Sequence, residues 1–376
     1  MFRLNTVGFD ESLAFSGRGA EKNNFLMNLF LQNEEEDKRL PELYKLNPKG
    51  FEKEISHTKK ALLRELDEFI ISEKPSESFI HIALSNINYN YYSRKELYIS
   101  SKKVASSHKQ ILYPEHFFTY RDSVVLNDNT LKNYYTYYQF INRYLDNLAD
   151  DGHKKQKTFF NKTSYEHQTQ KLRLIDSLIT NKQLHDNLLH NTVKRYLVHA
   201  DDSQKEHDLV ALFKKLDHNE AHQKEVERYA HNTAKINAGE LIPNLALITA
   251  KNEITSLQKI NASKTVFFFW NSKSVKHYKE IHVRIADLKT KYPEYAFVGI
   301  NTGTDFSAWN QTVISSGYNQ ANEYQLKNST AAKNALFINS ANKAMIVDKG
   351  GIILEGNSNL FNQNFESLLL GYLNKK

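Results

Sequence analysis

The 376-residue sequence contains no cysteine, so the chain forms no disulfide of its own and carries no thiol chemistry. That absence assigns no compartment, because a cysteine-free chain suits a reducing cytosol and an oxidising envelope equally. Proline and glycine are scarce, at 6 and 13, and no proline falls between Pro114 and Pro243. So long a stretch without a breaker favours long helices over short strands joined by turns. Long apolar runs are missing too: the strongest, Val266-Phe267-Phe268-Phe269-Trp270, is far below the ~20 residues that span a bilayer, so no transmembrane segment is expected. The N-terminus shows no basic region followed by an apolar signal segment. No glycine loop suited to cradling phosphate, no Gly-x-Ser-x-Gly elbow and no complete zinc signature is present. Cofactors and metals are therefore not expected.

What is there fits a globular protein large enough for two cores: 40% hydrophobic and 25% charged residues. Fifty Lys and Arg stand against 43 Asp and Glu, for a net charge of +7. The lysines are spread along the chain, and neither a basic stripe nor a nucleic-acid module accompanies them, so a nucleic-acid partner is not expected. The densest basic stretch, His153-Lys154-Lys155-Gln156-Lys157, reads as a solvated helix end.

Three regions follow from the pattern. Residues 1–20 read as a small β-segment that is too short to fold alone, with Leu13 and Phe15 ahead of the turn Ser16-Gly17-Arg18-Gly19. Residues 21–237 read as an α-helical domain. Phe25, Leu26, Leu29 and Phe30 begin it at helical spacing, and the acidic cluster Glu34-Glu35-Glu36-Asp37 reads as a solvated connection. Helices are expected over Phe51–Ile71, after Pro75, and from the capping pair Asp128-Asn129 onward. There Leu131, Tyr134, Tyr135, Tyr138, Ile141, Leu145 and Leu148 share one face. A tyrosine stripe of this kind is a helix-packing surface more often than a ligand wall. Leu174 to Leu197 and Leu209 to Leu216 supply further amphipathic helices.

The period changes near Ala238. Leu245–Ile248, Lys264–Trp270 and Tyr295–Ile300 read as strands, and a hairpin of Ala344–Val347 with Ile352–Leu354 turns at Lys349-Gly350-Gly351. Ser274–Lys291 is an amphipathic helix through Ile281, Ile285 and Leu288, with further helices expected over Phe306–Ser315 and Phe361–Leu373. Residues 238–376 thus form an α/β domain with a mixed central sheet.

Several motifs in that order carry a resemblance. Ala238-Gly239-Glu240-Leu241-Ile242-Pro243-Asn244 leads into the first strand, Phe269-Trp270-Asn271-Ser272 closes the next, and Asp348-Lys349-Gly350-Gly351 turns the hairpin. Together they resemble the TlpA/ResA-like branch of the thioredoxin fold, and the helical region before them resembles the insert of its Bacteroidota members. The resemblance implies an exported protein of the periplasm or cell envelope, and a small β-domain ahead of the present Met1, so that the start is expected to be internal. It also implies a redox pair and a cis-proline. Anchored on Trp270, the two cysteine positions fall on Ser274 and His277 and the cis-proline on Asn342. A non-proline cis bond costs about 2.5–4 kcal/mol, so a trans peptide is expected at Asn342.

Ser274 and His277 stand three residues apart at a helix start and could touch. A helix N-terminus contributes about 0.3–1 kcal/mol, ~2 at most, against ~1.4 kcal/mol for each pKa unit, too little to ionise a serine. Ser272 or Ser274 is better read as a helix N-cap, and His277 as a solvent-facing residue of the first turn. His218 and His222 sit at metal-ligand spacing without a third ligand, and His185 and His190 diverge on a helix.

The expected function is therefore a redox-inactive protein that binds a protein or peptide partner, with Trp270, Lys273, His277 and Asn342 outlining a groove along the sheet edge. A thiol-independent enzyme using Ser274 and His277, and a structural subunit of an envelope assembly, are the alternatives.

Overall fold

The computed structural model describes residues 2–3, 14–105, 111–152, 161–198, 200, 202–261, 263–362 and 364–374. The basic stretch His153–Lys157 and the strand residue Leu13 lie outside them. The chain divides into two compact units, Met1–Val193 with Leu212–Asn219, and Lys194–Ala211 with Glu220–Lys376.

The first unit opens with β1 (Phe2–Arg3) antiparallel to β2 (Ala14–Phe15), followed by α1 (Ala20–Leu43), α2 (Pro48–Glu73), α3 (Glu77–Ala105), α4 (Tyr135–Gly152), α5 (Tyr165–Leu178) and the start of α6 (Lys182–Leu197). The strand piece is tied to α1, because Asn24 accepts from Phe15 N at 2.8 Å and donates to Phe15 O at 3.0 Å. Helix α3 packs against α1, α2 and α4.

Three expectations are corrected here. The acidic cluster Glu34–Asp37 is not a connection but part of α1, and Glu36 is buried, accepting from Arg39 at 3.0 Å and Thr58 at 3.2 Å. A carboxylate with such partners escapes the cost of burial that the pattern alone implies. Asp128 caps a turn rather than a helix: its Oδ1 accepts from the backbone N–H of Thr130 and Leu131, and α4 begins only at Tyr135. The buried face is consequently Leu131, Tyr137, Phe140, Ile141, Leu145 and Ala149, whereas Tyr135 is 71% exposed. Tyr137 reaches full burial because its hydroxyl donates to Val125 O at 2.7 Å.

The second unit takes the end of α6, part of α7 (Ser203–Leu216), and α8 (Glu220–Ala234). Then come β3 (Ala246–Thr249), β4 (Ile254–Ser256), β5 (Thr265–Trp270), α9 (Val275–Lys291), β6 (Ala296–Asn301), α10 (Phe306–Ser315), β7 (Glu323–Leu326), α11 (Ser329–Ala335), β8 (Lys343–Val347), β9 (Ile353–Asn359) and α12 (Phe365–Asn374). The sheet order is β4-β3-β7-β6-β5-β8-β9, with β5, β6 and β7 parallel and the other pairs antiparallel. Two βαβ crossovers followed by a β-hairpin and a closing helix make this a thioredoxin-like fold.

Central strand β5 is buried along its whole length because helices cover both faces of the sheet. Val266, Phe268 and Trp270 meet Ile281, Ile285 and Leu288 of α9, Trp309 and Val313 of α10 and Leu369 of α12. Phe267 and Phe269 face the opposite way, toward Leu247, Ile300, Leu336 and Met345. Each such aromatic contributes roughly 1.5–3 kcal/mol on leaving water. Strands β4 and β7 and helix α11 were not anticipated from the pattern. Glu323-Tyr324-Gln325-Leu326 alternates polar with apolar, yet three of the four are buried. At the hairpin, Asp348 Oδ1 accepts from Gly350 N and Ile352 N, both at 2.8 Å, and Gly351 takes φ +85°, which a side chain would resist.

Candidate functional site

The candidate site lies at the C-terminal end of β5, where the chain leaves the sheet and turns into α9. Asn271 starts the turn: its carbonyl accepts from Ser274 N at 2.9 Å and its Oδ1 from Lys273 N at 3.0 Å. Buried Asn301, at the end of β6, accepts from Ser272 N and Gly303 N through its own Oδ1. The loop that follows β5 is thus fixed by asparagine side chains.

Ser274 occupies the N-cap position of α9, but its side chain makes no capping hydrogen bond. This corrects the capping role expected of it: the backbone there (φ −102°, ψ 73°) departs from the extended conformation in which a cap reaches the N3 amide. Ser272 is no cap either. His277 is half-buried rather than solvent-facing, because its Nε2 lies 3.1 Å from Asn342 Oδ1. Among the described residues no hydrogen bond joins Ser274 to His277, so no base is positioned on the serine hydroxyl. Asn342 sits just before β8 with its N–H donating to Ser340 Oγ at 3.2 Å, and no cis peptide bond occurs among the described residues.

Trp270 departs from the expected groove. It is 1% exposed, with its indole N–H donating to Glu323 Oε2 at 3.0 Å. Side chains alternate along β5, and this position points inward beneath α9. The surface of the candidate site therefore consists of Lys273, His277 and Asn342 without the tryptophan.

Beneath the site lies a polar cluster that the sequence did not reveal. Glu323 Oε1 is 3.2 Å from His282 Nε2, and His282 Nδ1 is 2.7 Å from Tyr278 O. Both ring nitrogens face acceptors. The imidazole stacks on Tyr318 at 3.6 Å and meets Trp270 edge-on at 5.1 Å. Gly299 of β6 makes the room: a Cβ there would stand 2.1 Å from Glu323 Oε2. No local signal couples Gly299, His282 and Glu323, which lie on three elements. One strand over, Lys343 follows Asn342 and is 1% exposed, donating to Gly356 O at 2.6 Å and Asn357 Oδ1 at 2.8 Å. Burial lowers its amine to about 7, opposed by Glu355.

The histidine pairs assemble no metal site. His218 precedes α8 and His222 lies within it, and no group of three His, Cys, Asp or Glu suited to a metal occurs among the described residues. No described helix is long and apolar enough to cross a membrane.

The order of strands and helices defines a thioredoxin-like domain in a chain without cysteine. No protein-family model and no curated protein matches the sequence. Solved structures do. A thioredoxin-like protein from Bacteroides caccae is similar at 12% identity and TM-score 0.35, covering 61% of this chain and 92% of that one. The thioredoxin domain of a thiol-disulfide oxidoreductase from Bacteroides vulgatus is similar at 17% identity and TM-score 0.29, covering 36% and 98%.

Proposed function

We propose that the α/β unit is a thiol-independent binding module that receives a protein or peptide segment at the edge formed by the start of α9 and the loop before β8. The observation that carries this reading is the His277–Asn342 hydrogen bond of 3.1 Å. It joins, side by side, the two positions that the resemblance equates with a redox cysteine and the cis-proline, and replaces reactive groups with a stable polar contact. Beside it Ala341 is exposed, and its backbone N–H and C=O have no hydrogen-bond partner among the described residues. These groups lie in the turn ahead of β8, an inner strand paired with β5 and β9 rather than a sheet edge, and an extended segment can hydrogen-bond to them there. Exposed Lys273 supplies a charge at the same edge.

The resemblance adds an expected location, the bacterial cell envelope. The enzyme alternative gains nothing from the Ser274 hydroxyl, which has no hydrogen-bond partner among the described residues. The test is mild crosslinking of the tagged full-length protein in its own host, comparing it with a His277→Ala/Asn342→Ala double variant in each cell fraction. The reading expects a stoichiometric envelope partner that is lost in the variant while tryptophan fluorescence is unchanged. A partner captured equally by both proteins overturns the edge as the binding site.

A further inference from the structure

Among the described residues, the Lys and Arg ion pairs of α9 all lie in its second half, where Lys289 alone has none. Toward its C-terminus, Lys291 pairs with Asp287 at 3.0 Å, and Arg284 pairs with Asp287 at 3.0 Å and Glu366 at 2.9 Å. At the other end Lys273, Lys276 and Lys279 are exposed, and none has an ion pair among the described residues. The first turn contains no acidic residue, although the helix dipole favours one there. Against the three lysines stands the single carboxylate of Glu280.

The same surface exposes apolar side chains. Val275 and Val283, two turns apart on one stripe, are 53% and 72% exposed, and Phe361 is 42% exposed. A shallow groove of about 560 Å³ runs between Val283 and Phe361, walled by Lys279, Glu280, Arg284 and Asp287. It starts one helical turn from the edge described above, since Glu280 of its wall follows His277 by three residues on α9. Arg284 Nε donates to Leu360 O at 3.5 Å, Leu360 N donates to Asn342 O at 2.9 Å, and Asn342 meets His277. Single exposed apolar residues need no explanation. An apolar groove one turn from that edge, with Lys279 in its wall and Lys276 and Lys273 beyond it toward the start of the helix, specifies what would fill it.

We infer that the segment bound at this edge is acidic and carries one bulky apolar side chain, which enters the Val283–Phe361 groove while its carboxylates face Lys273, Lys276 and Lys279. The inference rests on the edge-binding reading and adds the partner's chemistry. From Val275 to Val283 the helix rises ~12 Å, which an extended chain covers in about four residues at ~3.3 Å each. The apolar anchor therefore stands about four residues from the acidic cluster.

The test is fluorescence anisotropy of the full chain with four labelled peptides of equal length: an acidic cluster with Phe four residues away, the same peptide with Lys or with Ser in place of the acids, and the acidic peptide with Ser in place of Phe. The first should bind at least tenfold more tightly than the rest and weaken as salt rises. Lys276→Glu with Lys279→Glu, and separately Val283→Asp, should each cost tenfold or more; all three positions are exposed, so folding is spared. Equal binding of the acidic, basic and neutral peptides overturns the inference, and if Asn342→Ala still weakens them the edge reading survives. If only Asn342→Ala is without effect, the acidic–apolar chemistry stands and the edge reading falls. No binding by any peptide, or a dimer that Val283→Asp dissociates, overturns the inference, the second result making another copy of this chain the occupant.

Discussion

The helical unit and the α/β unit both bury charge, but they neutralise it differently. In the helical unit Glu96 is fully buried and accepts from Tyr120 at 2.5 Å, from Arg121 at 2.8 and 2.9 Å and from Asn147 at 2.6 Å. Asp146 likewise lies against Lys171 at 2.5 Å and His167 at 3.3 Å; burial alone would raise its carboxyl, but these partners and Lys162 hold it well below the usual carboxylate range. The α/β unit pairs Glu323 with His282 but cages Lys343 between neutral acceptors. A carboxylate held against an ammonium keeps its charge to lower pH, whereas an amine buried among dipoles gives up its proton more readily. The buried carboxylates of the first unit are thus held by cations of neighbouring helices, whereas the buried amine of the second is held by a carbonyl and an amide oxygen.

The largest expected effect tests the saturated side of this contrast. Glu96→Ala removes the one anion among three donors and should cost ~3–5 kcal/mol, the range for breaking a buried ion pair by deleting one partner. Urea unfolding followed by far-UV circular dichroism measures it, and a loss below 1 kcal/mol would show that the network contributes little. In the α/β unit, Gly299→Ala should cost roughly 1–3 kcal/mol by displacing the Glu323 carboxylate from Trp270 and His282. Both tryptophans, Trp270 and Trp309, lie in that unit's core, so their fluorescence reports its unfolding selectively.

Lys343 sharpens the contrast through pH. Its folded amine releases its proton near 7 and the unfolded one near 10.5, so between these values unfolding takes up a proton. The α/β unit should therefore gain stability as pH rises from 7 to 9, by no more than ~1.4 kcal/mol per pH unit. In Lys343→Met that slope should flatten, and an unchanged slope assigns it to other groups. The smallest effect concerns caps. Asp305 accepts from Ala308 N at 2.9 Å and its replacement by Ala should cost ~1 kcal/mol. Ser274→Ala, which removes no capping bond, should stay within about 0.5 kcal/mol.

Much of the α/β unit was legible in the sequence because its strands and helices carry their own period. The helix Phe306–Ser315 was read to the residue, and the strands at 265–270 and 296–301 to within one residue at each end. Strand β7 was not, since its burial comes from pairing with β6 and from Gly299 opposite Glu323, neither visible within four residues. The tyrosine face of α4 failed for a related reason. Its spacing was helical, but the helix begins four residues after Leu131, which makes Tyr137 and Phe140 the buried positions instead of Tyr135 and Tyr138.

The sequence by itself determined that this chain carries no thiol and that its last third is a mixed α/β sheet, because composition and periodicity are properties of the chain taken locally. Only the tertiary structure decided that Trp270 belongs to the core, that His277 meets Asn342 65 positions along the chain, and that the lysines opening α9 have no ion pair among the described residues. Those outcomes depend on which distant residues share a surface, and that is fixed by the packing of one element on another.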